Sequence, residues 1–351
     1  MFKSDIALLL STITALANAF SIAVYSDASR AADTPKSQRG VGLLLNGTCG
    51  RVRSSGPDKS FAHWLSSGND EFILKDIPQS IFSAFNENIR PRLPQTRHIR
   101  LPLDTIPDQR IFVYEYLNND FLNLVRNQIP VRARKEILNA TLQGIADMHD
   151  RDVVHLDVKP DNILVNYRHV EKQVIIEKVQ ISDLENAAYL PKPWCIKGML
   201  AGNDNWRSPE GHFKGELNKP SDLYSFGLVC IYAILGRVIL GPDDDFKLHE
   251  SKGALPAFIR LQRQVSYFGD KEGLNGLIKY VGDEEANCEI LRMLWEERAA
   301  DYIPYVPLSE WTDVDSTFKD LIRGLNNLNP SQRLTARQAL DHPWFKGIET
   351  T

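Results

Sequence analysis

The sequence predicts an α+β fold of two lobes, a small β-rich lobe at the front and a larger helical lobe behind it. Between residues 41 and 116, short apolar runs such as FILK and RIFVYEYL are separated by Pro and Gly, as in strands joined by turns. After residue 118 the apolar residues recur at helical spacing, as in RARKEILNATLQGIADMHD. The change of period divides the chain into lobes at 41–117 and 118–346, with a short tail at 347–351.

The front lobe is expected to contain strands at VGLLL, FILK, HIRLPL and RIFVYEYL, with one helix around Ile81–Arg90. In the back lobe, FLNLV and the segment after it are expected to be helical, and short strands return at 153–183. The run SDLYSFGLVCIYAILG is apolar on every side, which indicates a buried helix rather than a surface one. The segment 313–346 is again helical in pattern.

Length and composition restrict the class of protein. A chain of 351 residues with 43% hydrophobic and 25% charged residues is ordinary for a soluble globular protein with a large core. The net charge of −4 and the lack of a basic block argue against a nucleic-acid partner. The four cysteines are scattered along the chain: Cys49, Cys195, Cys230 and Cys288. Neither a metal cluster nor a disulfide framework is therefore expected, and a reducing compartment is the default expectation.

The N-terminal segment leaves several interpretations open. Residues 6–26 carry no charge, and residues 27–40 read as a polar linker. The apolar segment fits a secretory signal peptide, with Lys3 before it and Ala17-Asn18-Ala19 as a cleavage site. It also fits a membrane anchor, or a helical or poorly ordered extension lying against the domain. The rest of the chain is expected in the cytoplasm, and any membrane association only through residues 6–26.

The stretch VVHLDVKPDNILV carries the residue types that phosphoryl transfer needs. Asp157 can accept a proton from an attacking hydroxyl, and Lys159 can neutralise charge on the transferred oxygens. The amide oxygen of Asn162 can bind Mg²⁺, and His155 fits a structural support. This spacing predicts a catalytic loop between two strands.

The stretch resembles the catalytic loop of eukaryotic protein kinases, and further segments of that family follow in order. Ile181–Glu185 (ISDLE) resembles the metal-binding DFG segment, which implies that Asp183 holds Mg²⁺ against the phosphates of ATP. GNDNWRSPE resembles the end of an activation segment, so Glu210 is expected to pair with Arg333. Asp222 in SDLYSFG is expected to brace the catalytic loop. The resemblance covers roughly residues 41–346.

The nucleotide side of the resemblance lies in the front lobe. Residues 45–52 (LNGTCGRV) resemble the glycine-rich loop with Leu45 in place of its first Gly, so that Gly47, Gly50 and Val52 would cover the phosphates; an ordinary hairpin turn is the alternative. FILK resembles the strand that carries the phosphate-pairing Lys75, for which simple solvation is the alternative. Glu87 is the expected partner acid of Lys75.

The segment FVYEYLNND resembles the hinge between the lobes. The resemblance makes Tyr114 the gatekeeper at the back of the nucleotide pocket. It implies that the backbone of Glu115 and Leu117 binds adenine and that Asp120 meets the ribose hydroxyls.

Two residues depart from the family pattern. Leu156 replaces an Arg that in many members receives an activation-segment phosphate, so that kind of switching is expected to be lost. Asn203 replaces a Thr that commonly binds the catalytic Asp and Lys, and its amide is expected to substitute for the hydroxyl.

The sequence therefore predicts a monomeric Ser/Thr protein kinase that uses ATP and Mg²⁺ and acts on a protein substrate, with Lys159 favouring Ser/Thr over Tyr. The first alternative is a pseudokinase that acts as a binding module, suggested by the incomplete glycine loop and the DLE triplet. A kinase of small molecules is a third hypothesis, which Lys159-Pro160 and the SPE segment disfavour.

Overall fold

The computed structural model describes residues 71–347, apart from residues 94, 95, 172 and 283, and the backbone of short strands between residues 44 and 70. The predictions for residues 1–40 lie outside these described residues. Within the described part, no helix combines the length and the apolar character needed to cross a bilayer.

An antiparallel sheet forms the front lobe. Its strands are β1 (Leu44–Leu45), β2 (Thr48–Cys49), β3 (Arg51–Ser54), β4 (Ala62–Ser67), β5 (Asp70–Asp76), β6 (Asp104–Ile106) and β7 (Ile111–Glu115). Five of them share one sheet in the order β3-β4-β5-β7-β6, and β1 pairs with β2. Strand β5 contains FILK and pairs with β7, which places Lys75 opposite Phe112 in the centre of the sheet.

The HIRLPL segment was predicted as a strand, and the structure corrects that prediction. It forms a single bridge, between Ile99 and Ile181. The bridge is held by the hydrogen bonds from Arg100 N–H to the Ile181 carbonyl and from Ile181 N–H to the His98 carbonyl, both 2.9 Å long. The ladder stops there because Pro102 has no N–H to donate.

The helix of the front lobe is short and irregular. Helix α1 (Gln79–Ala84) runs directly into a π-helical turn, Phe85–Ile89, and a 3₁₀ turn that contains Pro91. Its buried side packs on the sheet, with the rings of Phe82 and Phe112 stacked at a centroid distance of 4.9 Å. The wider π turn rotates the residues that follow α1, and Glu87 lies exposed.

The back lobe is mainly helical, as predicted. Its helices are α2 (Phe121–Arg126), α3 (Val131–His149), α4 (Pro209–His212), α5 (Lys219–Leu235), α6 (Asp244–Ser251), α7 (Pro256–Phe268), α8 (Lys271–Val281), α9 (Glu285–Glu297), α10 (Ser316–Leu325) and α11 (Ala336–Leu340). In α5 every residue from Leu228 to Ala233 is buried, which confirms the prediction of a helix enclosed on all sides. The main core joins α3, α5 and α10, and a second apolar cluster lies within α7, α8 and α9.

Short strands hold the loops of the back lobe. They are β8 (Asn119–Asp120), β9 (Val153–Val154), β10 (Ile163–Val170), β11 (Gln173–Ile181) and β12 (Ala188–Tyr189). Strand β10 pairs with both β11 and β8, while β9 pairs with β12. Both ends of the loop 155–162 are thus anchored in sheets, beside the hinge on one side and the segment after Asp183 on the other.

Candidate active site

One buried carboxylate, Asp222 in the first turn of α5, organises the loop 155–162. Its Oδ2 accepts the backbone N–H of His155 at 2.7 Å, and its Oδ1 accepts that of Leu156 at 2.8 Å. The ring nitrogen Nε2 of His149 lies 3.0 Å from Oδ2. A carboxylate that is only 1% exposed needs such partners to offset its desolvation. The predicted bracing role of Asp222 is confirmed.

The three residues predicted to carry the chemistry of the loop come together. The Nζ of Lys159 lies 2.6 Å from Oδ2 of Asp157. The amide of Asn162 donates to the Asp157 carbonyl at 2.9 Å and to its Oδ2 at 3.2 Å. Asp157 is therefore fixed by its neighbours in the loop, and its carboxylate is a proton acceptor beside one ammonium group.

His155 joins the loop to the segment that carries Asp183. Its Nδ1 accepts the backbone N–H of Asp157 at 3.2 Å. That bond leaves Nε2 as the protonated nitrogen, which donates to the Ser182 carbonyl at 2.8 Å. The Ser182 N–H in turn donates to the Asn162 carbonyl at 2.8 Å. His155 is thus a scaffold residue, as predicted.

Asp183 and Lys75 form an ion pair across the two lobes. Asp183 has a left-handed backbone with φ of 67° at the start of the 3₁₀ turn Leu184–Asn186. Burial alone would lower the pKa of Lys75, but the carboxylates of Glu185 and Asp183 raise it above its usual value. Burial alone would raise the pKa of Asp183, but the ammonium group of Lys75 holds it below its usual value. Both side chains are charged at neutral pH.

The second acid beside Lys75 is Glu185, which stands where the DFG pattern has its Gly and was not among the predicted site residues. Its Oε2 lies 3.1 Å from the Nζ of Lys75, and its Oε1 accepts the hydroxyl of Tyr114 at 2.6 Å. The expected acid, Glu87, lies exposed on the π turn. Among the described residues Lys75 forms its ion pairs with Asp183 and Glu185, so the prediction for Glu87 is wrong in this structure. The π turn and Pro91 direct Glu87 away from the sheet.

The end of the activation segment docks on the catalytic loop through its backbone. The N–H of Asn203 donates to Oδ1 of Asp157 at 2.9 Å. The side-chain oxygen of Asn203 accepts the Asn205 N–H at 3.0 Å. The contact to Asp157 therefore comes from the backbone of Asn203, and not from its side-chain amide as the sequence predicted. Gly202, with φ of +74°, is required here because a Cβ would lie 2.6 Å from the Leu156 carbonyl oxygen.

Arg207 holds the end of the activation segment in place through contacts with other residues of that segment. Its Nε donates to the Ala201 carbonyl at 2.9 Å, and its Nη2 donates to the Gly202 carbonyl at 2.7 Å. It also forms an ion pair with Asp204. The backbone carbonyl of Arg207 accepts Gln264 Nε2 of α7 at 2.8 Å. These contacts hold the segment in place with unmodified side chains.

The predicted pairing of Glu210 with Arg333 is confirmed. Two parallel bonds join Arg333 Nη1 and Nη2 to the carboxylate oxygens at 2.8 and 2.7 Å. Ser221 donates to the same carboxylate at 2.9 Å. Burial alone would raise the pKa of Glu210, but Arg333 holds it below the usual value. The pair joins the activation segment to the helical tail.

The hinge residues lie between the lobes, where the resemblance expected them. The Glu115 carbonyl accepts Arg100 Nη2 at 2.7 Å, and its side chain forms an ion pair with Lys178. Leu117 is buried. Asp120 caps α2, accepting the backbone N–H of Asn123 at 2.8 Å. The adenine and ribose contacts of these residues stay predictions.

The phosphate-covering loop stays a prediction as well. Gly47 and Gly50 lie outside the described residues. Val52 is described only as part of strand β3, where it pairs with Leu65 of β4. The antiparallel pairing of β1 with β2 agrees with a hairpin in this region.

The donor set fits Mg²⁺ and the phosphates of ATP. Magnesium is commonly held by one or two protein oxygens together with phosphate oxygens and water, rather than by a full protein cage. Asp183 supplies a carboxylate, and Asn162, whose Nδ2 is bound to Asp157, has Oδ1 to offer. The described residues contain no cluster of three or more acidic, His or Cys ligands.

Comparison with known proteins supports this interpretation of the geometry. A family model described as the protein kinase domain matches residues 101–345. The Ser/Thr-protein kinase ssn3 of Emericella nidulans is 27% identical over 348 residues, which cover 87% of this chain and 77% of that protein.

Two further relatives match over a smaller share. Ser/Thr-protein kinase AFC3 of Arabidopsis thaliana is 29% identical over 231 residues, covering 58% of this chain. Calcium/calmodulin-dependent protein kinase cmkA of Emericella nidulans is 25% identical over 212 residues, covering 60% of this chain. The chain spans 54% of the length of AFC3 and 39% of that of cmkA.

The fold comparison agrees with the sequence comparison. The crystal structure of a kinase domain superposes with a TM-score of 0.66 and 15% identity, covering 88% of this chain and 98% of the other. An identity this low shows the fold alone. The family match extends over well more than half of the 351 residues and includes the loop built around Asp157. The chain belongs to the protein kinase family.

Proposed function

We propose that this chain is a Ser/Thr protein kinase that transfers the γ-phosphate of ATP to a protein hydroxyl with the help of Mg²⁺. The observation that carries the proposal is the hydrogen-bonded link from the Asp157 backbone through the ring of His155 to the Ser182 carbonyl. Ser182 directly precedes Asp183, which forms an ion pair with Lys75. It couples a proton acceptor to a metal and phosphate site. Lys159 and the names of ssn3 and AFC3 favour Ser/Thr as the acceptor class.

Asp157 is oriented to receive a proton before any substrate binds. Its Oδ1 is held by the Asn203 N–H, and its Oδ2 by Lys159 and Asn162. Among the described residues, Oδ1 accepts only that one hydrogen bond and keeps a second lone pair, so the group can still accept the proton of an attacking hydroxyl. Because its neighbours are already in place, little reorganisation accompanies the reaction.

The two lysines would supply positive charge to the phosphoryl group, Lys75 from the front lobe and Lys159 from the back lobe. When bound, Mg-ATP supplies the phosphoryl group and a divalent cation that neutralises its charge. Asn162 and Asp183 would hold the metal, and Lys75 would bind phosphate oxygens from the sheet. Lys159, at 2.6 Å from Asp157, would offset charge on the oxygens that are transferred.

The activation segment supports activity that does not depend on phosphorylation. Leu156 stands where many family members have the Arg that receives a phosphate. Here Arg207 supplies the ordering contacts from inside the segment, to two carbonyls and to Asp204. The segment therefore has its binding partners without a modification.

A binding module without phosphate transfer is the second candidate. The direct ion pair of Lys75 with Asp183 favours it, because each of these groups neutralises the other and both would have to turn towards Mg-ATP. Transfer ranks first because Asp157, Lys159 and Asn162 are all present and already held together in the loop.

The test is transfer of labelled phosphate from Mg-ATP to generic protein substrates. We expect Asp157→Ala to lower kcat by roughly 10²–10⁴-fold, the usual contribution of a positioned general base. Asp161→Ala is the matched control, because Asp161 is an exposed acid in the same loop. Equal rates for the parent and the Asp157→Ala protein would overturn the proposal. Nucleotide binding with no transfer by the parent would favour the binding module.

A further inference from the structure

The acid beside the nucleotide-binding lysine comes from an unexpected element. In this chain Lys75 lies between Asp183 and Glu185, which belong to the same short segment. The side chain of Glu185 is only 3% exposed, compared with 32% for Asp183. The more deeply buried acid is thus the one that does not belong to the expected metal site.

Each of the two carboxylate oxygens of Glu185 has a partner that holds it in place. Oε2 faces the ammonium group of Lys75 at 3.1 Å, and Oε1 accepts the Tyr114 hydroxyl at 2.6 Å. Burial and the Glu185 carboxylate raise the pKa of Tyr114 well above its usual value, so the phenol keeps the proton that it donates. The Arg100 guanidinium lies over the Tyr114 ring, 4.7 Å from its centroid. A carboxylate with two such partners has little freedom to move.

The helix of the front lobe has no acid in a comparable place. Its inner side is apolar, with Phe82, Phe85 and Ile89 buried against the sheet. Glu87 is the acid of the π turn, and it is exposed. A carboxylate there would have to exchange places with these apolar side chains in order to reach Lys75.

We infer that Glu185 is the positioning residue that orients Lys75 towards the phosphates of ATP, a role that rests on the proposed kinase function. If Asp183 held the metal instead, Glu185 would remain as the anion that holds the ammonium group. Because Glu185 and Asp183 lie in one turn, the lysine and the metal ligand are aligned by the same segment. Outward movement of α1 would then leave Lys75 in place.

The first experiment compares the two candidate acids. The proteins are the parent, Glu185→Gln, Glu87→Gln and, as an exposed control on β11, Glu177→Gln. Gln keeps an oxygen for the Tyr114 hydroxyl but removes the charge. We measure the Kd of a non-hydrolysable ATP analogue with Mg²⁺ by titration calorimetry, and kcat and KM with ATP.

We expect Glu185→Gln to weaken binding and lower kcat/KM by roughly 10–100-fold, as for a lost charge-assisted hydrogen bond. Glu87→Gln and Glu177→Gln should each change both quantities by less than about twofold. A large loss for Glu87→Gln with none for Glu185→Gln would overturn the inference and leave the kinase function standing. Tight binding without transfer by the parent would overturn the function and leave the inference standing. A parent that does not bind the analogue would overturn both.

A second measurement separates positioning from simple stabilisation. If Glu185 acts through Lys75, then Glu185→Gln should weaken analogue binding no further in a Lys75→Met background. A general structural role would produce the same loss in both backgrounds, which would overturn the inference. Tyr114→Phe, which removes the other hydrogen bond of Glu185, should shift the Kd in the same direction by a smaller factor. The comparison remains informative if Glu185→Gln lowers stability, because the substitution is made in both the parent and the Lys75→Met background and its effect on stability is present in both.

Discussion

His212 should make the folding stability of this protein fall as the solution becomes mildly acidic. It ends helix α4, two residues after the pair-forming Glu210, and the residue is 9% exposed. Its Nε2 is buried and has no hydrogen-bond partner. Burial, followed by the positive charge of Arg207, lowers the pKa of His212 from its usual 6.5 to about 3; Asp204 opposes this shift and Arg260 adds to it.

The direction of the effect follows from proton binding. The unfolded chain takes up a proton at this imidazole as the pH falls through about 6.5, while the folded protein does not until about 3. The unfolded state therefore binds more protons throughout that window, and stability is lost as the pH falls. At about pH 5 the imidazole lies roughly 1.5 units below its unfolded pKa, so the loss is about 2 kcal/mol relative to about pH 7.

The perturbation is His212→Asn, which cannot titrate. We expect urea unfolding at about pH 7 and about pH 5 to show a drop in unfolding free energy for the parent that exceeds the drop for the variant by about 2 kcal/mol. His169→Asn is the control, because it removes an exposed imidazole from β10. Equal drops for the parent and His212→Asn would refute the reasoning. An equally flattened profile for His169→Asn would refute its assignment to the buried site.

Two other substitutions test contacts of the activation segment. Gly202→Ala should lower kcat at least tenfold and stability by about 1–3 kcal/mol, because its Cβ meets the Leu156 carbonyl at 2.6 Å and its φ is +74°. Kinase assays with urea unfolding check this, and unchanged kcat would contradict it. Arg333→Leu should cost about 3–5 kcal/mol by leaving Glu210 buried without its partner. Adding Glu210→Leu should recover part of the loss in the same assay, and no recovery would contradict the assignment.

Local patterns in the sequence predicted most of the fold. The helical spacing in α3 and the all-round apolar character of α5 are properties of short segments, and the structure confirms both. The HIRLPL strand failed because pairing depends on a distant partner, and within this segment only Ile99 forms a bridge. A run of β-forming residues cannot report whether an edge is available to it.

The catalytic loop was predictable for the same reason. Asp157, Lys159 and Asn162 are close in sequence, so their spacing already limits how they can meet. The partner of Lys75 was not predictable in this way, because it is 110 residues away and belongs to a triplet that was interpreted as a loss of Gly. The one signal available in the sequence was that the residue in place of Gly in the triplet, Glu185, is itself an acid.

Sequence alone determined the family, the two-lobed plan and the identity of the loop residues, because each depends on local order and spacing. Tertiary structure decided which acid meets Lys75, which group of Asn203 holds Asp157, and that Arg207 orders the activation segment. These outcomes depend on the path of the backbone: a π turn that directs Glu87 outward, a positive φ at Gly202, and a turn that brings Glu185 under Tyr114. Long-range electrostatic contacts are selected by such geometry, which residue types do not encode one by one.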